Sequence, residues 1–260
     1  MTSATASATL SRTPLRRDWR RGLPSLLRFV TTPSDLGNSF EAMFALAGPT
    51  VQRQFDDFAA HPVGRALLAE RPRRDLNATL CDTAALAAMP GDSLAAAYLR
   101  YLGGEDMGSA AYFLEAADLD DKARRFGWSD DQLWFIRRMA NSHDLFHLIS
   151  GYDRDVVGEV GVIAYTAGQV PLLPLRLLLP FFASLRPAAL PAWWRFLRGA
   201  YLHGRDTPPL MCVDYEAMLA LPIDEVRERI GGPTLQQSHP NGLPQKGWLL
   251  AELERRVELV

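Results

Sequence analysis

Apolar positions along this 260-residue chain recur three and four apart, and no stretch alternates in the two-residue rhythm of a half-buried strand. Thr32-Pro33-Ser34-Asp35 has the form of a helix start, and the pattern then runs to Ala47 before Gly48-Pro49 stops it. Further helices are predicted over 50–59, 62–68 and 76–89. Ser93, after Pro90-Gly91-Asp92, caps a helix through Leu102 that Gly103-Gly104 ends. Residues 105–126 read as helical. The strongest pattern predicts one continuous helix over 130–150, with Ser129 and Gln132 as a capping box and Asp130 and Asp131 at the positive end of its dipole. Gly151–Arg154 predicts a turn and Asp155 an N-cap for a helix over 156–168; two more helices fit 191–203 and 224–230. After Gly231 the tail is loosened by Pro233, Pro240 and Pro244 before a short amphipathic helix over 248–258.

These elements predict an all-α fold: a single helical domain over 32–231, a basic and partly disordered N-terminus over 1–31, and a tail over 232–260. Composition sharpens this. Ile (5) and Val (12) are scarce beside Leu and Ala, which favours helices over sheets. A formal net charge of -2 argues against nucleic acid as a partner. Two cysteines are too few for a disulfide framework and fit a reducing compartment; Cys81 is expected in the core. Arg12, Arg16, Arg17, Arg20, Arg21 and Arg28 face only Asp18 among the acids of the first 30 residues. This is read as a disordered start followed by a basic helix, in preference to a mitochondrial transit peptide. The apolar stretch 170–190 is broken by Pro171, Pro174, Pro180 and Pro187 and carries Arg176 and Arg186, so it is not expected to span a membrane. It is expected in the core, lining an apolar groove or touching a membrane surface.

One cluster carries chemistry: His143-Asp144-Leu145-Phe146-His147, then Glu159. At about 100° per helical residue, His147 falls roughly 40° from His143, so both imidazoles share a face and can reach one ion. Asp144 lies on the flank of that face, as a ligand or as a base orienting His147. Position 153, inside the predicted turn, lies midway between His147 and Glu159. An antiparallel hairpin therefore returns Glu159 beside His147, with Gly158 and Gly161 allowing the two helices to approach. Two histidines with one or two carboxylates make a mixed nitrogen–oxygen site for one divalent metal. Zinc is the first expectation, with iron, manganese and cobalt also suited to these donors. A set without cysteine and with spare positions resembles a catalytic site more than a closed structural one. Elsewhere, His61 and His239 are expected at the surface, His203 at a helix C-terminus, and Trp193, Trp194 and Phe196 in the core. Glu70-Arg71 and the acidic run 118–121 are expected to be surface charge.

His143-Asp144-x-x-His147 followed by eleven residues and Glu159 resembles the signature of the ubiquinone (coenzyme Q) biosynthesis family of the fourth Coq protein. The segment from Leu67 to Arg73, containing Glu70-Arg71-Pro72, is similar to another of its motifs. So are Met89-Pro90-Gly91-Asp92-Ser93-Leu94, Tyr98-Leu99-Arg100-Tyr101-Leu102 and Asp214-Tyr215-Glu216. The resemblance covers roughly residues 35 to 231. It implies an α-helical protein that binds a divalent metal through His143, Asp144, His147 and Glu159 and works in a membrane-associated assembly with other ubiquinone-biosynthesis enzymes. It further implies an activity that removes the ring carboxyl at C1 of a polyprenylated benzoate and replaces it with oxygen, with Glu159 and Asp144 as catalytic groups and Arg100 and Arg205 as candidates to steer the carboxylate. A lipid-binding scaffold with a structural metal is the second reading, and a metallohydrolase the third. A cytoplasmic location on the inner membrane surface (the matrix side in a mitochondrion) is expected, and a homodimer is compatible.

Overall fold

The computed structural model describes residues 17–31, 36–103, 118–177 and 190–244. Among these every regular element is a helix. α1 (Trp19–Thr31) lies along α2 (Leu36–Ala47), and α3 (Pro49–Ala60) follows. Pro49 at the first position of α3 loses no hydrogen bond, because that N–H would have no helical partner. His61 caps α4 (Pro62–Ala69), its Nδ1 accepting from Val63 N.

The helix predicted over 76–89 is two, α5 (Leu76–Cys81) and α6 (Thr83–Ala87). Asp82 is the reason: its carboxylate accepts from Ala85 N at 3.0 Å and starts a new helix. Cys81, expected in the core, is exposed at the end of α5, whereas Cys212 is buried. In α7 (Leu94–Leu102), Ser93 Oγ accepts from Ala96 N, and the first free N–H groups, of Leu94 and Ala95, donate to Leu221 O and Leu219 O at 2.8 and 2.9 Å. Of the helix predicted over 105–126, α8 (Leu119–Phe126) is present, and residues up to 117 lie outside the described ones.

The long helix predicted over 130–150 is broken. α9 (Asp130–Asn141) begins at the predicted capping box, Ser142 forms a turn at φ -85° and ψ 0°, and α10 (His143–Ser150) starts afresh. The Ser142 hydroxyl turns back onto Met139 O at 2.9 Å, the local competition by which serine disfavours helix interiors. α11 (Val156–Gln169) begins at the predicted cap, Asp155 accepting from Gly158 N. α12 (Leu190–Asp206), α13 (Tyr215–Met218), α14 (Ile223–Ile230) and α15 (Leu235–Ser238) complete the described chain. The predicted helix over 248–258 lies outside the described residues.

Two apolar clusters form the interior. One gathers α5 to α7 and α10 to α14 around Tyr98, Tyr152, Tyr165, Trp193 and Tyr215; the other holds Phe55, Phe58, Phe135, Val170, Leu172, Leu175 and Cys212. α11 and α12 approach so closely that a Cβ on Gly204 would stand 1.9 Å from Tyr165 O. Val170, Leu172 and Leu175 are core, as expected, and residues 178–189 of that apolar stretch lie outside the described ones. None of the described helices is long and apolar enough to cross a membrane. Trp193 and Phe196 are buried, whereas Trp194 is exposed.

Buried polar groups tie the packing together. Arg138 makes a two-pronged pair with Glu216 at 2.6 and 2.7 Å and also donates to Val213 O, joining α9 to α13. At the surface, Arg74 bridges Glu70 and Asp214 in the same way, so Glu70 is surface charge, as expected, but paired. His203 lies in the last turn of its helix, as expected, but is buried, and His239 of the tail is buried against expectation. Both reach the hydroxyl of Tyr152. The predicted surface place of His239 fails because the tail folds back onto α12.

Burial and the neighbouring His239 push the His203 pKa down to about 4, outweighing the Pro233 carbonyl. Burial lowers that of His239 as well. An unfolded histidine titrates near 6.5. Below that pH the unfolded chain takes up a proton that folded His203 refuses until about pH 4, so stability falls with falling pH over that window. The expected loss from His203 is roughly 3 kcal/mol. Urea unfolding of chelator-treated protein at steps from pH 7 to 4.5 checks this; His203→Gln should flatten the dependence, and a flat curve for the unaltered chain would contradict it.

Candidate metal centre

The turn between α10 and α11 assembles the site. Gly151, in the left-handed region at φ 82°, closes α10, and Asp155 opens α11 so that Glu159 falls in its first turn. His143 and His147 project from α10 toward it. The two glycines expected to bring the helices together act elsewhere: a Cβ on Gly158 would meet Asp153 O at 1.7 Å, and one on Gly161 would meet the Tyr152 ring. They make room for the turn, not for α10.

Three donors converge. His143 Nε2 and His147 Nε2 are 3.3 Å apart, Glu159 Oε2 is 3.4 Å from the first, and Glu159 Oε1 is 3.3 Å from the second. A tetrahedral zinc with arms of about 2.0 Å holds its ligands roughly 3.3 Å apart; the two imidazole nitrogens meet that spacing, and Glu159, which approaches them with different oxygens, would offer one of the two to an ion. His147 is fully buried, while the His143 and Glu159 side chains are 39 % and 42 % exposed, so the site opens on one side. His147 Nδ1 faces two carbonyls, Tyr152 O and Asp153 O, each at 3.1 Å. Carbonyls only accept, so Nδ1 carries the hydrogen and the Nε2 lone pair is directed at the other donors, the usual outer support of a metal-bound histidine.

The charges suit a cation. Burial alone would raise the Glu159 pKa, but hydrogen bonds and charge from His143 and His147 hold it well below the usual carboxylate range. Burial works against a charged His143, yet Glu159 raises its pKa. The three groups lie close enough to share one ion, their donor atoms all within 4.8 Å of one another.

Asp144 does not join this group. Its offset of about 100° from His143 carries it to the α7 side, where its charge bears on Tyr98 and Tyr101. Burial raises its pKa, partly offset by the two histidines. Arg100 donates to Gly91 O, and Arg205 pairs with its neighbour Asp206, so neither is directed at the donors. The residues that do surround them were missed. The Tyr101 ring lies 5.4 Å from that of His147, and Arg154 sits 5.8 Å over Tyr101 while donating to Tyr101 O and Leu102 O. Both lie in segments already singled out, the Tyr98–Leu102 motif and the turn, but their meeting depends on α7 packing against α10. A cavity of about 490 Å³ lies elsewhere, between α12 and the tail residues 233–244. The apolar residues after Glu159 are core: Val160, Val162, Ala164 and Tyr165 are all buried.

The family model described as coenzyme Q (ubiquinone) biosynthesis protein Coq4 matches residues 41–234. This chain belongs to the Coq4 family. A mitochondrial ubiquinone biosynthesis protein COQ4 homolog from Rattus norvegicus is 29 % identical over 180 residues, 68 % of this chain and 63 % of the rat protein. The Homo sapiens counterpart is 27 % identical over 192 residues, covering 72 % of this chain and 67 % of its own. The crystal structure of a Nostoc punctiforme protein titled for ubiquinone biosynthesis shares the fold, with a TM-score of 0.58 at 20 % identity over 83 % of this chain and 99 % of that one. The three donors fall within the Coq4 match; tail residues 235–244 fall beyond it.

Metal analysis of the purified chain should find about one equivalent of a divalent ion. His147→Ala and Glu159→Ala should lose it, whereas Asp144→Asn should keep it. Full retention in the first two variants would refute the site, and loss in Asp144→Asn would return Asp144 to the ligand set.

Proposed function

We propose that this Coq4-family ubiquinone biosynthesis protein holds one divalent metal, zinc in the first instance, on His143, His147 and Glu159, and uses it in decarboxylation at C1 of a 4-hydroxy-3-polyprenylbenzoate. The observation that carries this reading is the convergence of three donors, the imidazole nitrogens 3.3 Å apart and each within 3.4 Å of a Glu159 oxygen, on a face where His143 and Glu159 are partly exposed. A closed structural site would have its donors buried on every side, so this openness favours catalysis over a scaffold with a structural metal. The hydrolase reading needs an acid placed to activate water beside the ion, and Asp144 is turned toward α7 instead.

When bound, the ion would supply a Lewis acid that stabilises negative charge on a ring oxygen as CO2 departs. The chain's own part is positional. The two carbonyls at the turn hold His147 in one tautomer. Glu159, kept ionised by its histidines, supplies the anionic corner. Arg154 and Tyr101 border the open side. Asp144, turned toward α7, has no part in the step, and the proton that replaces the departing carboxylate enters from solvent on the open side. Replacing the carboxylate by hydrogen is redox-neutral; replacing it by oxygen removes two electrons and requires dioxygen or another two-electron oxidant from outside the chain.

The same reading seats the protein on a membrane beside other ubiquinone-biosynthesis enzymes, where a prenylated substrate resides. α1 supports this. Trp19, Leu23 and Leu27 are exposed along one edge, and Arg20, Arg21 and Arg28 are exposed beside them. An aromatic and two leucines with three arginines suit the headgroup region of an anionic bilayer.

In a strain lacking the gene, Glu159→Ala should fold yet leave a precursor that retains its C1 carboxyl, identified by mass spectrometry of extracted lipids. Normal ubiquinone in that strain, or a precursor already decarboxylated, would overturn the catalytic reading in favour of the scaffold. High salt or carbonate should release the protein from membranes, and Leu23→Glu with Leu27→Glu should leave it unbound beforehand; retention on the bilayer through both washes would contradict the peripheral seat.

A further inference from the structure

Tyr152 joins two parts of the molecule that the site described above does not connect. Its carbonyl oxygen receives the Nδ1 hydrogen of His147, and its side chain is fully buried. Its hydroxyl lies 3.2 Å from His203 Nδ1 and 2.8 Å from His239 Nε2. His203 stands on α12; His239 stands in the tail, past the end of the Coq4 match.

The Tyr152 hydroxyl can donate to one of these imidazoles and accept from the other, so both contacts are satisfied at once. Packing enforces them. The Tyr152 ring fills the space that a side chain at Gly161 would need, and His239 sits where a Cβ on Gly199 would stand 2.8 Å from its ring. Phe196 lies 5.3 Å from the His239 ring and 6.3 Å from Tyr152.

We infer that His239 and His203 are positioning residues for the metal: they clamp the Tyr152 side chain, and thereby hold the turn whose carbonyls orient His147. The inference rests on the metal reading above and extends it to a tail segment beyond the family match. A turn held only at its backbone could rotate its carbonyls away from His147 Nδ1. Anchoring the intervening side chain at its far end removes that freedom. Loss of an outer partner of a metal ligand commonly costs 10–100-fold in affinity. The partner here acts through one further residue, so a loss on the order of tenfold is expected.

The test uses the full chain, with cobalt(II) as the probe. Affinity is measured by competition with a chromogenic chelator, and the visible absorption of the cobalt-loaded protein is recorded. Tyr152→Phe keeps the ring and removes only the hydroxyl. His239→Ala removes the tail's partner, and His239→Gln restores a hydrogen-bonding group near the position of Nε2. Thermal unfolding of each metal-free variant separates loss of folding from loss of positioning. Tyr152→Phe and His239→Ala are expected to bind cobalt about tenfold more weakly with a shifted ligand-field band, while His239→Gln returns to within about threefold of the unaltered chain. Unchanged affinity and spectrum in Tyr152→Phe and His239→Ala would overturn the positioning role while leaving the metal site standing. An unaltered chain that binds no cobalt overturns both readings together.

Discussion

The fork of two carbonyls onto His147 Nδ1 is the constraint on which the centre depends. An imidazole can present a lone pair at only one nitrogen when neutral, and nothing intrinsic to histidine selects which. Here the choice is made by backbone, and the backbone is held in a turn of five residues between two short helices. Glycines at 158 and 161 exist for that turn, since a side chain at either would collide with Asp153 or Tyr152. Hydrogen bonds to the main chain survive most side-chain substitutions, so the tautomer of His147 is protected from sequence drift in a way that an acidic partner would not be.

Around this turn the fold is conventional helix packing with polar struts at its junctions. The buried Arg138–Glu216 pair would be costly if either partner were left alone. Arg138 stands on α9, which ends at Asn141, so the pair anchors the helix just before the break at Ser142 that precedes the first donor. Asp214 and Glu216, two residues apart, reach Arg74 and Arg138 respectively, so α13 is fastened by charge to the segment before α5 and to α9, while the Tyr215 hydroxyl donates to Leu210 O.

Much of the site was legible in the sequence because it is local. Two histidines four apart, a capping aspartate and a turn of known length suffice to place Glu159, since helix periodicity and hairpin reversal are geometric. The break at Ser142 was not legible. Periodicity through Asn141 and His143 continues unbroken, and a serine hydroxyl turning onto a carbonyl leaves no trace in a pattern of apolar positions. The fate of Asp144 was half legible: the wheel angle put it on the flank, but only α7 packing decided that it faces Tyr98 and Tyr101. His239 was read as exposed because its burial is created by α12, some forty residues away in sequence, and nothing nearby in the tail announces that contact. Cys81 failed for the converse reason: the apolar neighbours that suggested burial belong to a helix that Asp82 cuts short.

The donors of the centre lie within sixteen positions of one another. Closing so short a loop costs little chain entropy compared with bringing distant segments together, and local contacts form early on the way to a native topology. The apolar clusters, by contrast, need α3 beside α9 and α7 beside α14. Assembly of the three donors needs no contact from the later helices: both imidazoles and the carboxylate are present in the chain once α11 has begun. The segment that carries His239 follows some eighty residues after Glu159, so its contact with Tyr152 is a late addition to a locally assembled turn.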